Sequence, residues 1–318
     1  MKILHITNNY PTPGFPIFGI FVKEQIDSLT ELGVESDVFF MNTREGGKRE
    51  YLKSLYRINR HLYANKYDLI HCHHSYSAII FLCSGAIFGK KCLLSYQSDP
   101  ENESGRLIFR ILYRFFDRII LKNRSREINY PKTIYLPNGV NTDFFKPMDK
   151  ISCKKQLGLD VNRRYIVFMD SYDRRPFKRI DRFKETVRIL KEKYSLSDIE
   201  PLVLTNTERN LIPLYLSAAD VHLLTSDFEG SPNSVKECLA CNVPVVSTPV
   251  GNVAELISGV EGSYVSKSFN PVELADLTYR TLQKNHYSSR QSIMEKGLDI
   301  MTVGNKLLNI YKDLINKQ

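Results

Sequence analysis

The chain has 318 residues, 42% of them hydrophobic and 25% charged, with six cysteines and a net charge of +9. That length suits two domains that each bury a core, and the composition is that of a globular chain rather than a disordered or membrane-spanning one. Residues 1–150 hold 21 Lys/Arg against 15 Asp/Glu, so +6 of the excess lies there; this suits anionic ligands or an anionic membrane surface and is too mild to demand nucleic acid.

The opening MKILHITNNY has one lysine and a short apolar stretch, too little for a secretory leader. The longest uncharged apolar window, residues 77–88, reads as a buried helix rather than a membrane crossing. Cytosolic residence is the expectation, with a peripheral place on the inner face of the cytoplasmic membrane as its sharper form.

In chain order, KILHI reads as a strand, Gly19 to Leu32 as a helix and VESDVFFM as a strand. DLIHC, the 77–88 helix and CLLSY continue the alternation, followed by a helix from about Ser104, a strand near 118–121 and TIYL. Strands alternating with helices predict a parallel sheet covered on both faces. LPNGVNTDFFKPMDK, rich in turn formers, reads as the exit from a first domain. The pattern restarts at YIVFMD and runs through PLVL, DVHLL and PVVS. The expected division is 1–146 and 147–301, with a helix at about 302–318 packing back on the first domain. Two such α/β halves would leave a cleft, with ligands beyond the carboxyl ends of the strands. Neither G-x-G-x-x-G nor a P-loop is present.

The segment 227–251, DFEGSPNSVKECLACNVPVVSTPVG, is the most informative. Glu229 and Glu237 are eight apart, separated by a Gly-Ser-Pro-Asn loop that feeds a helix starting near Pro232. Asn233 and Ser234 fall in its first turn, where unclaimed N–H groups and the helix dipole suit phosphate. Both carboxylates can face one ligand and suit hydroxyl recognition on a sugar. Cys238 and Cys241 form a C-x-x-C, but they sit in a helical pattern with no second pair at zinc spacing, so neither redox nor metal chemistry is expected of them.

These residues resemble family 4 of the retaining glycosyltransferases (glycosyl transferases group 1), whose E-x7-E element matches Glu229 and Glu237. YDLIHCHHSYSA, LPNGVNTDFFKP and IPLYLSAADVHLLTS extend the resemblance in order along most of the chain. It implies the GT-B fold, two Rossmann-like domains with parallel sheets facing across a cleft. It implies a hexosyltransferase moving a sugar from a nucleotide-sugar donor, by family habit a UDP-sugar, to a glycan or lipid-linked acceptor in cell-surface polysaccharide synthesis. The matching positions inherit roles. Glu237 would hydrogen-bond the donor ribose, Glu229 with the backbone of Gly230 and Ser231 would hold the transferred sugar, and the amides of Asn233 and Ser234 would touch the diphosphate. In SYDRRPFKR, Lys178 and Arg175 would neutralise the leaving diphosphate, with Arg174 as the neighbouring alternative. Gly19 would bring backbone close to the donor phosphate, or serve only as a helix cap.

One departure concerns the acceptor side. Where many family members carry a histidine in a T-x-H-G-like loop, this chain has SYQSD, with Gln97 in place of the histidine. Glutamine hydrogen-bonds but carries no proton. In the family's proposed same-face mechanism the departing phosphate takes the proton. The HCHH run suggests a metal, but strand alternation is expected to set His71 apart from its neighbours, leaving His73 or His74 at the cleft rim. No metal and no cofactor is expected. Two basic amphipathic stretches, Arg49, Lys53, Arg57 and Arg60, then Arg106, Arg110 and Arg114, are either solvated helix faces or docking faces for anionic lipid. The competing functions are another GT-B enzyme such as a sugar-nucleotide epimerase, and a non-catalytic sugar-nucleotide-binding partner subunit. A nucleic-acid partner is not expected.

Overall fold

The computed structural model describes residues 1–124, 129–170, 175–284 and 287–316. The chain divides into two compact units, residues 1–139 with 300–318, and residues 140–299. The boundary falls before the expected 146/147. Val140 bridges to Asp299, and Val140 and Phe145 already belong to the second core.

The first unit is built on a parallel sheet ordered β2-β1-β3-β4-β5-β6, with β1 Lys2–Thr7, β2 Glu35–Phe40, β3 Leu69–His73, β4 Cys92–Ser95, β5 Arg118–Leu121 and β6 Thr133–Tyr135. Alternation divides its side chains between two cores. Leu4, Ile6, Ile70 and Leu94 pack with Phe81 and Phe109 on one face, while Ile3, Leu69, Leu93 and Ile120 pack on the other. Helix Ser75–Cys83 is shorter than the apolar window that predicted it, because the chain turns at Gly85 with φ near +73°.

The C-terminal helix Ile300–Asn316 returns to this unit. Val303, Leu307, Tyr311 and Leu314 form a stripe at helical spacing and bury it against the second face. Gly304 allows its close passage over helix Ile20–Glu31, since a Cβ there would lie 3.0 Å from Ser28 Oγ.

The second unit has a parallel sheet ordered β11-β10-β9-β7-β8, from β7 Arg164–Met169, β8 Ile199–Leu204, β9 Val221–Leu224, β10 Val245–Ser247 and β11 Tyr264–Val265. The order reverses between β7 and β9, which makes the carboxyl ends of those two strands the switch point where open parallel sheets bind ligands. Among the described residues no helix is long and apolar enough to cross a membrane.

Candidate active site

Two loops meet at that switch point. The one after β7 carries Arg175 and Lys178, the one after β9 carries Glu229 to Ser231. Arg174 lies outside the described residues. Main-chain and side-chain bonds tie the loops together. Asp227 N donates to Phe177 O at 2.8 Å, and Thr225 Oγ1 donates to the carbonyls of Lys178 and Arg179 at 3.0 Å. Arg182 Nη1 donates to Thr225 O, and its Nη2 to Asp227, at 2.6 and 2.8 Å. Phe177 stacks on Phe228 with ring centroids 4.4 Å apart.

This scaffold holds Lys178 Nζ 2.6 Å from Glu229 Oε1, with both side chains mostly buried. Ser226 Oγ donates to the same oxygen at 2.7 Å. Arg175 is exposed, its guanidinium 5.8 Å from the centre of the Phe177 ring.

Behind Glu229 the chain runs through Gly230 and Ser231 into helix Asn233–Ala240. Pro232 stands at its N-cap and no side chain caps it. The first-turn amides therefore have no side-chain acceptor from the cap, and the helix dipole points its positive end at the loop. Gly230 O accepts from Asn252 N at 3.1 Å. Gly251 has φ +53°, and a Cβ on it would lie 2.4 Å from Gly230 O, so only glycine allows the 248–252 turn to support this loop. Ser234 Oγ meets His222 Nε2 at 3.3 Å, while His222 Nδ1 lies 3.1 Å from Val167 O. The carbonyl requires Nδ1 to carry the proton, so Nε2 accepts from the serine. Burial pushes His222 down to about 4, in keeping with a neutral ring. Glu237, buried in this helix, accepts from Arg209 Nη1 at 2.7 Å. Cys238 and Cys241 are free and buried, their thiols pushed upward by burial, Cys241 to about 12.

Glu229, Gly230, Ser231, Asn233, Ser234, Glu237 and Lys178 therefore belong to one neighbourhood of the second unit. Arg209, Ser226, His222 and Gly251 join them, and sequence reasoning had no signal for these four. Ser226 shares the loop of Glu229, the other three come from separate loops and a strand, and all four acquire a role only through contact. A cavity of about 490 Å³ beside Lys150, Arg164, Asp220 and Pro244 lies at the amino ends of β7, β9 and β10, the opposite edge of the sheet from these groups.

In the first unit Gly19 has φ +68°, and a Cβ there would lie 2.3 Å from Asn9 C. The approach of the Asn9–Tyr10 backbone thus requires glycine at this helix cap. The histidines correct the sequence reading. His71 and His73 share a face, with ring centroids 4.0 Å apart, and His5 on the adjacent strand completes a trio whose ligand atoms lie within 4.8 Å of one another. Alternation separates His71 from Cys72, not from His73, and the register that pairs His5 with His71 is invisible in the sequence.

This trio is fully buried, so His73 is not at a rim; of the two candidates only His74 reaches the surface. The rings already engage one another and their neighbours. His5 Nδ1 meets His73 Nε2 at 3.0 Å, and His71 meets Tyr311 Oη and Ser95 Oγ, each at 2.7 Å. Burial holds all three well below the usual histidine range, His5 at about 3. The arrangement is a polar network inside the core.

His74, at φ +82°, accepts from Tyr76 N at 3.3 Å through Nδ1. Gln97 Oε1 accepts from Asn138 at 3.4 Å. A residue missed from sequence, Glu103, ties these loops together by accepting from the amides of Ser75, Gln97 and Ser98 at 2.7, 2.7 and 2.9 Å. Nearby Lys122 is buried, and burial pulls its ammonium down to about 7 against the opposing influence of Glu103.

Both basic stretches lie on helices. On Arg49–Ala64 the cations accompany exposed Leu52, Tyr56 and Tyr63; Arg57 pairs with Glu50. On Arg106–Phe115 they accompany exposed Leu107 and Ile111, with Phe115 set edge-on to exposed Phe88.

Residues 184–284 match the family model described as glycosyl transferases group 1. A UDP-Gal:alpha-D-GlcNAc-diphosphoundecaprenol alpha-1,3-galactosyltransferase of Escherichia coli is 23% identical over 311 residues, covering 83% of this chain and 80% of that protein. A putative teichuronic acid biosynthesis glycosyltransferase of Bacillus subtilis is 28% identical over 150 residues, 43% of this chain and 38% of the relative. Among solved structures, sucrose-phosphate synthase of Thermosynechococcus elongatus superposes with a TM-score of 0.80 at 15% identity over the whole of both chains. HepE of Anabaena in complex with UDP-glucose gives 0.70 at 17%, covering 98% of this chain and all of that one.

Proposed function

We propose that this chain, a group 1 glycosyltransferase with the GT-B fold, is a retaining hexosyltransferase that moves a hexose or N-acetylhexosamine from a UDP-sugar to a glycan or lipid-linked acceptor of a cell-surface polysaccharide. The observation that carries this reading is the meeting of Lys178 and Glu229 at the second sheet's switch point, directly before an uncapped helix start that also holds Glu237. The UDP donor is supported by the UDP-sugar named for the galactosyltransferase relative and the UDP-glucose bound to HepE.

In this reading the diphosphate lies over the amides of Asn233 and Ser234, where the helix start favours negative charge. Lys178 and Arg175 supply cations where charge builds as the sugar–phosphate bond breaks. Glu229 and the backbone of Gly230 and Ser231 hold the sugar hydroxyls, and Glu237 holds the ribose. The acceptor hydroxyl attacks on the face that the phosphate leaves, and that phosphate takes its proton, so Gln97 needs only to hydrogen-bond. Acceptor recognition falls to the first unit, with His74 and Gln97 at its loops. In this reading its two basic helices rest on anionic lipid, and the protein works in the cytoplasm, peripherally on the inner face of the membrane.

Glu237→Gln tests the donor site. It is expected to weaken nucleotide diphosphate binding by about 1–3 kcal/mol in calorimetry, the cost of a hydrogen bond to a charged group. Unchanged affinity would remove Glu237 from the ribose. Retention is read separately by proton NMR of the first product formed from an α-linked donor; a β-linked product would overturn it.

A further inference from the structure

We propose that Arg209 is the positioning residue that makes Glu237 a selective reader of the ribose, an inference resting on the reading of Glu237 given above. Arg209 lies in the turn after β8, remote in sequence from the E-x7-E segment. Its Nη1 donates to Glu237 Oε1 at 2.7 Å, and both side chains are largely withdrawn from water, 21% and 7% exposed. Below it sits the second unit's core. The guanidinium carbon lies 4.6 Å from the centre of the Phe145 ring and 5.8 Å from that of Phe144.

A planar cation resting on an aromatic face keeps its orientation while its edge makes hydrogen bonds. Glu237 has three rotatable side-chain bonds on a helix. Left to itself it would sample several rotamers, and each would aim its carboxylate differently. Arg209 pins Oε1 and so fixes the direction of Oε2. A carboxylate with one oxygen pinned offers its other oxygen in a set direction to a hydroxyl donor, which suits recognition of one ribose hydroxyl over a deoxy position. Removing that hydroxyl then costs a full hydrogen bond, because the aimed oxygen is left without a donor.

The experiment measures binding of UDP, 2′-deoxy-UDP and 3′-deoxy-UDP by calorimetry to the full chain and to Arg209→Gln, Arg209→Lys and Glu237→Gln. In the wild type, one deoxy compound is expected to bind roughly five- to twentyfold more weakly than UDP. In Arg209→Gln that ratio falls toward unity. In Arg209→Lys, which keeps the charge without the planar fork, it is intermediate. A wild-type ratio in Arg209→Gln overturns the proposal; if that variant does not fold, a wild-type ratio in Arg209→Lys does so. Glu237→Gln separates the two levels. If it keeps the wild-type ratio, Glu237 does not read the ribose and the underlying site reading fails. If it loses the ratio while the Arg209 variants keep it, only the role of Arg209 fails.

Discussion

Replacing Lys178 by alanine should slow turnover far more than it weakens donor binding. Lys178 Nζ and Glu229 Oε1 are 2.6 Å apart, with side chains 14% and 12% exposed. That places the pair between an exposed bridge, worth about 0–1 kcal/mol, and a fully buried one, whose breaking costs about 3–5 kcal/mol. The variant leaves the Glu229 carboxylate with Ser226 Oγ and without its cation, so a stability loss of about 2 kcal/mol is expected, or roughly 4–8 °C in melting temperature. The catalytic loss is separate. A preorganised charge acting on a developing anion contributes about 3–4 kcal/mol, so kcat should fall by about 10²–10³ while the donor KM moves by less than about tenfold. Lys178→Arg should recover part of the rate because the charge remains. Arg175→Ala should lower kcat with little change in melting temperature, since Arg175 is exposed. The assay is initial rate at saturating donor with the acceptor that the wild type uses, on protein shown to be folded by thermal unfolding. A folded Lys178→Ala variant with wild-type kcat at saturating donor would refute the reasoning, because no cation needed in the transition state would then have been removed.

Three further outcomes can be measured. Turnover should be unaffected by EDTA; activity abolished by the chelator and restored by magnesium or manganese would overturn a metal-independent reaction. Liposome flotation should rise with anionic lipid content through the basic residues of the two stripes, each cation that reaches the lipid adding about 1 kcal/mol, screened by salt. Exposed Leu52, Tyr56, Leu107 and Ile111 should leave a remnant of binding at high salt, and flotation that ignores lipid charge would return both helices to ordinary solvated faces. Stability should fall on acidification. His5 and His222 titrate near 3 and 4 when folded and near 6.5 when unfolded, so below pH 6.5 the unfolded chain binds more protons. Each therefore removes up to about 1.4 kcal/mol per pH unit between 6.5 and its folded value, and His71 and His73 act in the same direction. Urea midpoints at pH 7.5 and 5.5 check this, and equal midpoints would contradict it.

The alternation of short apolar strands with helices was enough to read two parallel α/β halves, because period-2 and period-3.6 burial are local properties of the chain. The E-x7-E segment could be picked out because it is contiguous, and the roles expected of its residues come from the family resemblance rather than from periodicity. Loop, uncapped helix start and second carboxylate all lie within residues 227–240, Glu229 in the loop and Glu237 on helix Asn233–Ala240, so one contiguous stretch holds them. What only the tertiary structure decided are contacts between segments far apart in sequence. Glu103 reaches the loops after β3 and β4, Arg209 reaches Glu237 from the turn after β8, and Gly251 yields to the carbonyl of Gly230. The histidines show the limit most clearly. Alternation along β3 sets the face of each residue, but only the pairing of β1 with β3 brings His5 beside His71, and only the packing of the C-terminal helix brings Tyr311 to the same ring. Strand register and helix docking are settled by the fit of whole apolar faces, a property of the folded core that no local pattern contains.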